Sequence, residues 1–155
     1  MDAGSSPLAV VGVVNDPVGD NRLCIENASA AVNESVAGRD VFIRFCHGAQ
    51  IHLEGQPSSL KISNCTSVVL HALPADGSVF VENCNACVLE VGGSQVRIHN
   101  THDSALFVHS RSNVILEECS RLKLSKLETE DAVENNWKSV MDFSFSSDPS
   151  YIIVE

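Results

Sequence analysis

The sequence predicts an all-β fold: a parallel β-helix with coils of about 18 residues and a C-terminal capping segment. Three observations carry this. Cys46, Cys65, Cys84, Thr101 and Cys119 recur at intervals of 19, 19, 17 and 18 residues. Two further columns keep step with them: Ile43, Ile62, Val81, Ile98 and Leu116 stand three positions earlier, and Ile51, Leu70, Leu89, Leu106 and Leu124 five positions later. Finally, no unit has room for a strand and a typical helix of about eleven residues. Each holds short β-prone pieces, such as residues 60–63, 67–71 and 80–82, broken by Asn, Gly, Asp, Ser or Pro. Stacked coils that set like residue over like satisfy all three observations. Leucine-rich repeats share the length but want a stricter Leu-x-x-Leu-x-Leu-x-x-Asn pattern. A β-sandwich would not need five columns in register.

Along the chain, residues 1–21 are small, apolar and Gly/Pro-containing, and are expected to form a flexible or peripheral arm. The β-helix is expected over 22–127, with 22–40 as an atypical first coil that caps the stack. The repeat stops after Leu127 and an acidic stretch follows. Residues 128–155 are read as the capping segment, with Trp137, Val140 and Phe143 folding back over the last cross-section as a lid and 151–154 extended. Trp137 is read as a packing anchor before a partner contact.

Strand side chains alternate in direction, so the Ile43 and Ile51 columns point inward and their neighbours outward. The cysteines fit tight interior corners. Cys84-x-x-Cys87 lacks a second pair or a nearby histidine, and is weak as a metal or redox motif. Asn64, Asn83 and Asn100, one position before the Cys column, are expected to bond turn backbone and to stack on one another.

Twenty acidic against ten basic residues give a formal net charge of -10, and mean hydropathy is +0.07. That balance argues against a binder of nucleic-acid backbones or anionic membranes. No stretch approaches a membrane span. The apolar run 7–14 has Asp2 and no Lys or Arg before it, which fits a signal peptide poorly. A cytoplasmic location, with possible association with the cytoskeleton, is the expectation.

Two outward columns are candidates for function. One reads Phe42, Lys61, Phe80, Arg97, Ile115, and the other Arg44, Ser63, Glu82, His99, Glu117. Arg97 is expected to protrude from a flat sheet face with an exposed aromatic, Phe80, on the neighbouring coil and His99 on its own strand. Such a patch suits a partner. The competing reading is a surface arginine satisfied by Glu82 or Glu117. No GxGxxG, Walker A, GxSxG or HExxH motif occurs, and the six histidines show no obvious ligand spacing. Glu82 and Glu117 could form a hydrolytic pair on distance alone, but no groove-forming loop accompanies them.

Residues 91–119 (VGGSQVRIHNTHDSALFVHSRSNVILEEC), the preceding Gly77-Ser-Val-Phe-Val-Glu-Asn-Cys and the later Asn136-Trp137-x-x-Val140-x-Asp142-Phe143 resemble the cofactor C-like (C-CAP/TBCC) domain family, closest to the C-terminal domain of the tubulin-binding cofactor C branch. The likeness covers about residues 36–145. It implies a right-handed parallel β-helix and, in the GTPase-activating branch, an arginine finger presented by a Gln-Gln-x-Arg element. The finger falls on Arg97 and the second glutamine on Gln95; Ser94 stands where the family has the first. Arg111 matches a recurrent basic position on the same side. The resemblance thus implies Arg97 and Gln95 as catalytic residues acting in trans, with Phe80, His99, Arg111 and Ser94 contacting the partner. The partner would be tubulin, a tubulin–cofactor complex or an Arf-like small GTPase. GTP and Mg would be held by that partner, and the chain would hold no cofactor or metal of its own. The alternative is a non-catalytic scaffold for tubulin, a GTPase or actin.

Overall fold

A computed structural model describes the backbone of residues 12–15 and the chain over 21–130, 134–145 and 149–155. The rest of the expected N-terminal arm lies outside the described residues. Among these the molecule is all strand and turn. The strands are β1 (Gly12–Asn15), β2 (Arg22–Glu26), β3 (Ala31–Ser35), β4 (Asp40–Arg44), β5 (Gln50–Glu54), β6 (Ser59–Ser63), β7 (Val69–His71) and β8 (Val79–Glu82). They continue as β9 (Val88–Gly93), β10 (Val96–His99), β11 (Ala105–Ser110), β12 (Val114–Glu117), β13 (Leu122–Lys126), β14 (Val140–Asp142) and β15 (Tyr151–Ile153). Even-numbered strands stack in one sheet, headed by β1, and the remaining odd-numbered strands in a second. This is a parallel β-helix.

The register reproduces the sequence intervals. Leu23 pairs with Val41, Val41 with Leu60, Leu60 with Val79, Val79 with Val96 and Val96 with Val114, steps of 18, 19, 19, 17 and 18. Both expected inward columns are buried: Ile43, Ile62, Val81, Ile98 and Leu116 from the first sheet, and Ile51, Leu70, Leu89, Leu106 and Leu124 from the second. Each contributes about 1.5–3 kcal/mol by leaving water. Within a coil the two sheets face one another, so the core is a continuous apolar rod.

A third, very short side closes each coil. Single-residue bridges link His47, Thr66, Asn85, His102 and Ser120 in parallel. Their amides bond the coil below, as in Thr66 N–H to Cys46 O (3.0 Å) and His102 N–H to Cys84 O (3.0 Å). Two left-handed residues flank each of these bridges. One column is Phe45, Asn64, Asn83, Asn100 and Glu118, and the other Gly48, Ser67, Ala86, Asp103 and Arg121, all with φ between 47° and 70°. The asparagines are therefore chosen first for their tolerance of this conformation. Side-chain stacking is seen where Asn100 donates to Asn83 Oδ1 at 2.7 Å.

The cysteine column has a polar duty as well as a steric one. Cys46, Cys65, Cys84 and Cys119 each direct Sγ to the carbonyl two residues earlier at 3.4–3.5 Å. Thr101 does the same through Oγ1 at 3.1 Å. A small, buried donor is what the corner selects, which is why Thr replaces Cys without disturbing the column. All six cysteines are free thiols.

Several expectations need correction. The residue pattern ends at Leu127, but the ladder does not. Val114 pairs with Val140 and Leu122 with Tyr151, so β14 and β15 add a last rung after steps of 26 and 29 residues. Strand pairing needs only backbone and alternation, and survives where the column consensus has lapsed. Trp137 is buried and Val140 packs against the core, but Phe143 is 48% exposed and takes no part in a lid. At the other end the first coil is regular in register, and β1 covers β2 antiparallel. Ser63, expected to face outward, is buried. Its short side chain lies in register between Arg44 and Glu82, which rise above it.

Candidate functional site

The outer face of the first sheet carries the expected patch. Phe80, Arg97 and Ile115 are consecutive in register across β8, β10 and β12, and Glu82, His99 and Glu117 form the row two residues on. Arg97 points outward because Val96 and Ile98 on either side are fully buried. Its side chain is 47% exposed, and the site is an open sheet face. Phe80 is only half-exposed, because Arg97 Cζ lies 6.0 Å from its ring centroid and Lys61 Nζ lies 5.5 Å from it on the adjoining strand.

The two readings of Arg97 turn out to coexist. It stands beside the aromatic ring, and its Nη2 donates to Glu117 Oε1 at 2.8 Å. Glu117 is the carboxylate one rung along, so the ion pair runs across the ladder. A guanidinium has five N–H donors in a planar fork. Engagement of Nη2 fixes the plane of that fork and leaves further donors.

Ser94 and Gln95 form the corner between β9 and β10, just before Arg97. Ser94 N–H bonds Gly77 O at 2.9 Å, and Val79 N–H bonds Gln95 O at 2.9 Å. The hydroxyl of Ser112, on the next coil, donates to Ser94 O at 2.8 Å. Gly93 is required here: a Cβ at that position would run into the carbonyl of Gly77. Arg111 occupies the corresponding corner one coil on. Its N–H bonds Gly93 O at 3.2 Å, and its carbonyl accepts from Asn136 Nδ2 at 2.8 Å. The structure therefore brings Phe80, Arg97 and His99 together on one face, and sets Ser94, Gln95 and Arg111 on adjoining coils along its leading edge.

Sequence reasoning undervalued two residues. Glu117 was weighed as a neutralising partner and, with Glu82, as a carboxylate pair; its role in orienting Arg97 needs coordinates. Lys61 stood in the right column, 19 residues before Phe80 and so one coil away, but was not assigned to the site. Met141 extends the same column beyond Ile115 and is 44% exposed.

Among the described residues no three His, Cys, Asp or Glu side chains are grouped to hold an ion. Burial pushes the Cys119 thiol up. Cys24 is pushed up to about 11, first by burial and then by its hydrogen bond to Glu26.

With this geometry in hand, comparison with known proteins is decisive. The family model described as "Tubulin binding cofactor C" matches residues 38–145, which span every coil of the patch. The chain belongs to the tubulin binding cofactor C family. Similar proteins include the tubulin-specific chaperone C of Pongo abelii, 30% identical over 165 residues, covering 90% of this chain and 48% of that protein. The Homo sapiens tubulin-specific chaperone C is 32% identical over 120 residues, covering 69% of this chain and 35% of that protein. The tubulin-folding cofactor C of Arabidopsis thaliana is 27% identical over 110 residues. This cofactor C family chain spans at most about half the length of these curated relatives.

Proposed function

We propose that this domain docks on a GTP-bearing partner connected with tubulin folding and supplies Arg97 to accelerate hydrolysis of the partner's GTP. Tubulin or a tubulin–cofactor complex is the first candidate and an Arf-like small GTPase the second, with the cytoplasm as the place of action. The observation that carries the reading is the mounting of Arg97: outward on a rigid sheet, against Phe80, with its fork held by Glu117 at 2.8 Å. Family membership supports the tubulin connection.

In the reaction, a water oxygen attacks the γ-phosphorus while the bond from that phosphorus to the β,γ-bridging oxygen breaks. GDP and inorganic phosphate result. GTP and Mg belong to the partner. Negative charge moves onto the bridging and β-phosphate oxygens, and the donors of Arg97 not engaged by Glu117 would meet it there. A preorganised guanidinium loses less freedom on docking than a loop-borne one. Gln95, two residues earlier, would contact the nucleotide side of the partner; His99, Phe80, Ser94 and Arg111 would complete the docking face.

Single-turnover GTP hydrolysis over a panel of tubulin–cofactor complexes and Arf-like GTPases tests this. Arg97→Ala should lower the stimulated rate by about 10³-fold or more and leave the melting temperature unchanged. Wild-type stimulation by Arg97→Ala protein would sink the idea. The Arg97–Glu117 pair is also what a non-catalytic scaffold would show, and on that reading the wild-type domain binds the same partners without changing their hydrolysis.

A further inference from the structure

The ring of Phe80 lies between two cations. Arg97 Cζ is 6.0 Å and Lys61 Nζ 5.5 Å from its centroid, and the register sets Phe80 between them on adjoining strands. The two cations are thus two rungs apart, about 10 Å at the ordinary strand spacing. Each has a carboxylate one rung away, but the contacts differ. Arg97 Nη2 reaches Glu117 at 2.8 Å, whereas Lys61 Nζ lies 3.8 Å from Glu82 with 43% of its side chain exposed. An exposed pair at that distance contributes little to stability. A partner's carboxylate can take over the Lys61 ammonium at small cost.

The distribution of charge gives this face a direction. In a chain of net charge -10, the outer face of the first sheet carries four basic residues (Arg22, Arg44, Lys61 and Arg97) against four acidic ones (Glu26, Asp40, Glu82 and Glu117), so it is neutral where the chain as a whole is acidic. In one row of that face Phe42, Lys61, Phe80 and Arg97 alternate ring and cation, and Arg22 Cζ lies 6.0 Å from the Phe42 centroid. Basic heads beside aromatic rings are the composition of a protein-contacting surface.

We infer that Lys61 is a second partner-contacting cation, binding an acidic side chain of the GTP-bearing partner some two strands from the point where Arg97 meets the nucleotide. Its spacing from Arg97 exceeds that between neighbouring phosphates of one nucleotide, with the Phe80 ring in between, so its target is protein carboxylate. Lys61 then governs affinity and association rate, and Arg97 governs turnover. This rests on the reading that the Arg97 face docks on such a partner.

The test separates the two roles. Lys61→Glu, Lys61→Arg and Arg97→Ala are prepared in the full chain and checked for unchanged melting. Binding is measured to a tubulin–cofactor complex and to an Arf-like GTPase, each loaded with a non-hydrolysable GTP analogue. Single-turnover hydrolysis is measured at saturating domain. Lys61→Glu should weaken binding by about tenfold or more, leave the saturated rate within about twofold, and flatten the dependence of affinity on salt. Lys61→Arg should restore binding. Equal affinity of Lys61→Glu and wild type, a loss of saturated rate instead of affinity, or binding to neither partner overturns the assignment. If Arg97→Ala leaves hydrolysis unchanged while Lys61→Glu still weakens binding, the catalytic reading fails and the docking role of Lys61 stands.

Discussion

Replacing Ala86 with glycine should stabilise the protein, against the usual cost of glycine in ordered structure. Ala86 is exposed and has φ of 55°, so it loses no packing on truncation and carries a Cβ in a conformation that disfavours one. That conformation costs an L-residue roughly 1–2 kcal/mol. Glycine gives back about 0.5–1 kcal/mol through the greater freedom of its unfolded chain. The net gain is about 0.5–1 kcal/mol, or roughly 2–3 °C in melting temperature for a chain of this size. Ala31→Gly is the matched control: Ala31 is also exposed, but lies in β3, outside the left-handed set. It should lose about 0.5–1 kcal/mol. Paired thermal and urea melts of the two variants measure the difference. Equal destabilisation by both would refute the idea that the left-handed corner at Ala86 is strained.

Three more outcomes follow from the same structure. Gly93→Ala forces the Ser94–Gln95 corner away from Gly77 and should cost about 1–3 kcal/mol, read as a lower urea midpoint. Cys119→Thr should be near neutral, because Thr101 already fills the same role with an Oγ1 bond; Cys119→Val, which removes the donor, should lose about 1 kcal/mol. With its thiol pushed up to about 11 by burial and then by Glu26, Cys24 holds less thiolate at pH 8 than a free cysteine. Its labelling by a thiol reagent should be slower by roughly 100-fold at that pH and recover as pH rises towards 11, and rapid stoichiometric labelling at pH 8 would contradict this.

Much of the architecture was legible because a solenoid repeats its environment. The same depth and the same corner recur every 17–19 residues, so Ile43 to Leu116 and Cys46 to Cys119 read as columns without any coordinates. The exposed Arg97 and its row followed from that frame. What escaped had a different physical origin. The last rung, β14 and β15, comes after steps of 26 and 29 residues, outside the 17–19 period, so the column frame does not reach it. The left-handed corners are occupied by residues as unlike as Phe45, Ala86 and Arg121, whose common property is a backbone angle. The Arg97–Glu117 contact depends on which of two adjacent carboxylates, Glu82 or Glu117, the guanidinium chooses, and that choice is seen only in the coordinates.

The stacking of coils also grades the molecule along its axis. Each coil is bonded only to the one before and the one after, so opening begins at the ends and moves inward, much as a zip fails from its free ends. β10 has β8 on one side and β12 on the other, with further coils beyond both. The arginine is therefore carried by a part of the stack that neither fraying end reaches first, and its alignment outlasts partial unravelling of β3 or β15.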